Sequence, residues 1–241
     1  MKIFITDGSP EGFFTAVFDA FNQKDANITS DTHVQLALDR EVIRVIPDAG
    51  KSGRVLRGIY NCDRYAAEEI SLVLRSCDPL KEQIVFEYIK KLMQIKFPIR
   101  KRLSLSEVIR FNEISYKVTG ETHRLKGLLR FMECAGGVLY APYSPDNDIT
   151  EILALHFAAR FSGKQFVIHD VKRKIAAMFD GEEIVMTGAG DAEIYLSEYE
   201  SYFQNLWKQY YNSVNIASRP HPKQMRGSMP VRYWKFLPEK K

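Results

Sequence analysis

Cysteine is scarce in this 241-residue sequence, and no window of it approaches the roughly 18 consecutive apolar residues of a membrane span. Cys62, Cys77 and Cys134 are odd in number, widely spaced and form no CxxC pair. Neither a disulfide framework nor a zinc ribbon nor a cysteine-held iron–sulfur cluster is therefore indicated. The three read as buried thiols of a reducing compartment. The opening MKIFITDGSPEGFF has one lysine and a three-residue apolar run before Asp7, too short for a secretory leader. A cytoplasmic protein is expected, with no membrane association. Neither HxH nor HExxH occurs, so no metal is expected, and no motif requires a cofactor. Gly50-Lys51-Ser52 has the ending of a phosphate loop, but Val45 stands where that pattern needs its first glycine. A turn with a solvated lysine is expected there. There is no internal repeat and no low-complexity tract.

What is present suffices for a core: 45% of residues are hydrophobic and 12% aromatic. The length fits a single domain over 1–241, with a possible sub-boundary near 97–103, where Pro98 stops a helix and charge changes. KIFIT (2–6) reads as a strand. Ser9-Pro10-Glu11 opens a helix whose buried face is Phe13, Phe14, Val17, Phe18 and Phe21. Residues 33–46 are strand-like, and 54–60, 64–77 and 79–97 are helical. A further helix runs from Ser104 or Ser106 to Arg124. LLRFMEC and GVLYAPY, around Ala135-Gly136-Gly137, predict a β-hairpin. Asp148 and Glu151 form a capping-box pattern before ITEILALHFAARF. KQFVIHD, KIAAMFD and EEIVMT are strands, with a turn at Asp180-Gly181. In the helix 197–214, Tyr199, Tyr202, Phe203, Leu206, Trp207, Tyr210 and Val214 form a stripe expected to be core. The sum is an α+β protein, largely antiparallel in its second half, with a helical insertion in the first half.

Charge is segregated. Residues 219–241 carry seven Lys/Arg against Glu239 alone, a local +6 in a chain of net +4, so the remainder sums to −2. Residues 100–130 hold eight Lys/Arg against three Glu, whereas 180–200 hold seven Asp/Glu and no Lys or Arg. Such separation gives a surface with one positive side. In the segment 218–241, four prolines forbid a continuous helix, yet it contains Tyr233, Trp234, Phe236 and Leu237. An extended basic segment packed on the body is expected, since disordered ends lack large apolar residues. Arginine interleaved with aromatics suits backbone contacts and base stacking on nucleic acid. Arg219, Lys223, Arg226, Arg232, Tyr233, Trp234 and Lys235 are the candidates there. Arg124, Lys126 and Arg130, with 128–131 extended, are expected to line a groove for phosphates, alongside Arg160 and Arg173. His123, His156, His169 and Asp170 are the acid–base candidates, because histidine titrates near neutral pH.

DGSPEGFFTAVFDAF, THRLKGLLRF, LYAPYSPDNDI, HFAARF, FVIHDVKR and RPHPKQMRGSMPVRYWKFLPE follow one another in this order. In this the sequence resembles a bacterial family of DNA-repair or DNA-metabolism proteins built on a domain of unknown function. Nearly the whole chain is covered, although 35–60 holds no matching motif. Relatives of that kind are often encoded beside a radical-SAM protein, and in other bacteria a similar domain is fused to a uracil-DNA glycosylase-like domain. The resemblance implies a DNA-repair context and a radical-SAM partner. It assigns no catalytic role, and points only to motif positions, Asp146 and Asp148 among them. Three readings stay open. The first is a DNA-binding accessory that recognises damaged or modified DNA. The second is a hydrolase on a damaged base or strand, using the histidines with Asp170 or Asp146. The third is an interaction module docking through its basic tail.

Overall fold

The central strand β1 (Lys2–Ile5) buries both Ile3 and Phe4. Consecutive residues of a strand point to opposite faces, so both faces of this sheet are covered. The sheet is parallel, in the order β2-β1-β3, with β2 at Ala26–Thr29 and β3 at Glu41–Arg44. A parallel neighbour needs a crossover, supplied by helix α1 (Pro10–Ala20) between β1 and β2. The computed structural model describes residues 1–32, 40–161, 163–190, 195–214 and 221–240. The first part of the strand expected at 33–46, and Arg219, lie outside the described residues.

The DGSPEG turn explains how α1 starts. Ser9 caps it, accepting from the Gly12 N–H, while Asp7 accepts from both the N–H and the hydroxyl of Ser9. A Cβ on Gly12 would lie 2.2 Å from Asp7 Oδ1, so the position takes only glycine while Asp7 stays. Phe13, Phe14 and Val17 are buried as expected, whereas Phe18 is partly exposed under Lys51 and Arg54.

Helix α2 (Ala49–Cys62) begins at the glycine-rich stretch, with Asp48 as N-cap. The expected turn with a solvated lysine is therefore corrected: Lys51 lies in the first helical turn and pairs with Asp19 at 2.8 Å. Helices α3 (Ala66–Leu74), α4 (Lys81–Ile95) and α5 (Ser106–Leu128) follow. Tyr88 of α4 stacks on Phe111 of α5, with ring centroids 4.0 Å apart. Two compact units result, Met1–Thr119 and Gly120–Lys241, and the division falls inside α5.

The second unit holds a five-stranded mixed sheet in the order β4-β5-β6-β7-β8. Its strands are β4 (Met132–Glu133), β5 (Leu139–Tyr143), β6 (Phe166–Asp170), β7 (Ile175–Phe179) and β8 (Ile184–Gly188). Only β5 and β6 are parallel, joined through α6 (Thr150–Phe161); the other pairings are antiparallel. The protein is α+β, and the hairpin β4–β5 and the meander β6–β7–β8 are those the sequence predicts. Phe157 and Phe161 of α6 meet Phe131, which also touches Phe166 of β6. That cluster seats α6 on the sheet face bearing Phe166 and Ile168.

Three expectations are corrected. The C-terminal segment is not extended. Its prolines divide it into helix α8 (Pro222–Ser228) and two 3-10 helices, Val231–Phe236 and Pro238–Lys240. The aromatic stripe of α7 (Glu200–Val214) is not core but faces outward. Cys77 is exposed, and Cys62 and Cys134 are half-buried free thiols.

Candidate nucleic-acid interface

Within Gly120–Lys241 the motif segments meet at one buried carboxylate, that of Glu121. It accepts from the backbone N–H of Asp146 and of Asn147, each at 2.9 Å, and from the Asn147 side-chain amide at 2.6 Å. Tyr233 donates its hydroxyl to the same carboxylate, and Arg232 Nη2 reaches it at 3.4 Å and Asp146 at 2.9 Å. Burial alone would raise the pKa of Glu121. The hydrogen bonds from Tyr233, from the two backbone N–H groups and from Asn147 outweigh it, so the group stays ionised below the usual carboxylate range. Burial, with the same carboxylate as neighbour, keeps the Tyr233 phenol protonated.

The loop that Glu121 holds is clamped from its other side. Arg173 donates to the carbonyls of Pro145 and Asp146 and to Asp170 Oδ2 at 2.7 Å. Asp170 is fully buried and also accepts from the N–H groups of Lys172 and Arg173. Its lone pairs are thus committed to closing the turn after β6. LYAPYSPDNDI, FVIHDVKR and the RYWK of the tail are brought together, but as structural cement.

Arg130 is likewise engaged. Helix α5 runs to Leu128, beyond the expected strand start, and the Leu129 N–H still bonds the Leu125 carbonyl. Arg130 then folds back on the Gly127 carbonyl at 2.8 Å, pairs with the buried Glu239 at 2.7 Å and stacks over Trp207 at 4.8 Å. It does not line a groove with Arg124 and Lys126. Trp234 is half-buried, donating its indole N–H to the Met229 carbonyl, and Lys240 lies over the Trp234 and Tyr211 rings.

The four acid–base candidates do not share a cleft. His169 and Asp170 are neighbours in β6 and point to opposite faces of the sheet. His169 is buried; its Nδ1 meets the Tyr140 hydroxyl at 2.7 Å, and its Nε2 has no partner among the described residues. His156 belongs to α6, on the face opposite to His169, and His123 is exposed on α5. Among the described residues no three of His, Cys, Asp and Glu are placed to hold a metal ion, and no helix is long and apolar enough to cross a membrane.

One set of basic side chains, exposed or half-buried, is left without a carboxylate partner among the described residues. His123 and Lys126 lie three apart on α5, and His156 and Arg160 four apart on α6, so each pair shares a helix face. Lys126 of α5 is near enough to α6 for its charge to act on His156. Desolvation first, then the charges of Lys126 and Arg160, push the His156 imidazole below its usual range. Lys223 and Arg226 on α8 and Lys235 beside Phe236 are exposed as well, and Arg124 is half-buried over Gly120.

Residues 79–239 match the model of a family described as a domain of unknown function, DUF4130. The chain belongs to the DUF4130 family. The matched stretch contains α4, all of α5 and the whole cluster around Glu121 as far as Glu239 of the tail. Neither the curated proteins nor the solved structures returned a match. The motifs THRLK and RYWK are split by the fold between anchors and surface.

Glu121 itself escaped sequence reasoning, where it counted only as one negative charge in a basic block. A signal was present. Phe111, Ile114, Val118 and Leu125 form the buried stripe of α5, and Glu121 interrupts it at i+3 from Val118. A carboxylate inside an apolar stripe is buried only with partners.

Proposed function

We propose that the Gly120–Lys241 unit of this DUF4130 chain binds DNA by its phosphate backbone, as an accessory in a DNA-repair or modification system. The observation that carries the reading is the Lys126–His156–Arg160 cluster, in which half-buried Lys126 of one helix and exposed Arg160 of another both act on the His156 ring. Unlike Arg130, Arg173 and Arg232, Lys126 and Arg160 have no carboxylate partner among the described residues, and they are available to an anion. Phosphate oxygens satisfy such groups by charge-assisted hydrogen bonds. Damaged or modified DNA as the specific target, and a radical-SAM protein as the enzyme it serves, rest on the motif resemblance. The hydrolase reading finds no convergent site, since Asp170 is spent on Arg173 and His169 is enclosed.

Fluorescence anisotropy with duplex, single-stranded and lesion-containing oligonucleotides over a salt series tests the proposal. With about five exposed cations neutralised by phosphates, log K falls against log[salt] with a slope of roughly −4 to −5 on duplex. Absence of binding to all three, or binding indifferent to salt, overturns it.

A further inference from the structure

Helix α7 is mounted inside out. The side turned toward its own unit is polar: Glu200 accepts the Glu133 N–H at 2.8 Å, Gln204 donates to Glu200, and Tyr211 receives Lys240 Nζ. Backbone pairing of 195–197 with β4 fixes the entry of the helix, through Ala135 N to Tyr195 O and Ser197 N to Glu133 O. Along the flank beside it run large apolar residues that are open, Phe203 at 52% exposed, Leu206 at 42% and Tyr210 at 57%, whereas Trp207 turns inward under Arg130. A helix in water normally does the reverse.

We propose that this stripe is a dimerisation surface, mated antiparallel with the same stripe of a second copy about a two-fold axis between Leu206 and Trp207. Three observations favour a second copy over another occupant. The stripe is symmetric about its own midpoint. Leu206 lies next to the centre, Phe203 and Tyr210 stand equally far out, and Tyr199 and Val214 equally far beyond them. A two-fold interface requires that self-complementarity, since residue i meets residue j and j meets i. Second, Lys208 is the only charged residue in 201–214. The face therefore offers little charge to nucleic acid or to an acidic or basic partner, and an equally apolar mate satisfies it. Third, the area suffices for a reversible contact. Five large side chains about half exposed offer on the order of 500 Å² per copy, below the roughly 800 Å² per partner of a standard interface and in the range of a weak, reversible one. Facing helices at a separation of about 8–10 Å bring Phe203 of one copy against Tyr210 of the other.

Sedimentation equilibrium on the full chain from about 1 to 200 µM covers the affinity such an area supports. The expected result is a reversible dimer for the wild type. Leu206→Glu and Phe203→Glu should each give a monomer throughout that range. Both positions are outward, so circular dichroism and melting temperature stay unchanged. The double variant Phe203→Glu/Tyr210→Lys should regain the dimer, because the antiparallel register sets each new carboxylate against a new ammonium. A wild-type chain that is monomeric at every concentration overturns the proposal. A dimer that survives Leu206→Glu overturns it too, since the contact then lies elsewhere.

Discussion

Tyr233 donates its phenolic hydrogen to the carboxylate of Glu121, 112 residues earlier in the chain. Through this contact the tail is tied to α5, and α5 to the loop before α6, at a carboxylate only 1% exposed. The tail is part of the fold, with its polar anchors in the interior and some of its charge at the surface.

Replacing Tyr233 by Phe deletes one hydrogen bond to a buried charge and leaves the ring in place. A loss of about 1–3 kcal/mol is expected. Glu121→Ala also strands the N–H groups of Asp146 and Asn147 and removes one partner of Arg232, so its cost should be larger, about 3–5 kcal/mol. Urea unfolding of both variants, compared at equal slope, checks the order. Equal stability of the two would mean that Tyr233 is the only partner that matters.

Acid should weaken the fold through the same residue. The folded-state value of Glu121 lies below its ordinary 4.5, as does that of Glu239, whose burial is outweighed by Arg130. A carboxylate held low contributes stability that is fully present above the unfolded value and is lost as pH falls through the folded one. Melting temperature should thus decline below about pH 4.5, and Glu121→Gln should flatten part of that decline. An identical pH profile in the variant would remove Glu121 as its source.

The start of α1 permits a sharper local test. In Gly12→Ala the new methyl displaces the Asp7 carboxylate, which then releases the N–H and hydroxyl of Ser9. About 1 kcal/mol should be lost, as for a weakened N-cap. With Asp7→Ala already in place only the 3.1 Å approach of the Ser9 hydroxyl is left, and the glycine substitution should cost clearly less, since alanine favours helix. Thermal melts of the four chains form the cycle.

Short apolar runs bounded by turn residues were enough to read β5 to β8 from the sequence, because β6, β7 and β8 pair with their chain neighbours across tight turns. Capping chemistry likewise revealed α1. Periodicity failed on α7 for a physical reason: it reports that Phe203, Leu206 and Tyr210 share a face, not what covers that face. Arg130 and Arg232 looked like phosphate ligands because a sequence shows charge without its partner. Glu239 and Glu121 lie in distant segments, and only folding brings them into range. His156 and Arg160 were legible as helix neighbours, but Lys126 lay beyond the expected end of its helix, and its nearness to them was not legible.

His156 should make DNA binding depend on pH. In the free protein burial, Lys126 and Arg160 hold its imidazole below the usual range, so it is largely neutral at pH 7. A phosphate placed against Lys126 and Arg160 opposes that repulsion and favours the protonated ring. Binding then takes up a proton, and affinity rises as pH falls from 7 toward 5.5, by at most about tenfold per pH unit for one proton. His156→Gln should abolish this rise while leaving binding at pH 8 intact. Lys126→Ala with Arg160→Ala should remove the rise as well, and lower the salt slope by about 2. Both changes are at the surface, so melting temperature should stay within the equivalent of about 0.5 kcal/mol. Arg173→Ala, in contrast, strands the buried Asp170 and should cost about 3 kcal/mol or more of stability. Anisotropy titrations at pH 5.5, 7 and 8, run beside thermal melts, separate the two classes. If the Lys126 and Arg160 variant keeps the wild-type slope and pH response, the phosphate-binding face lies on another part of the chain.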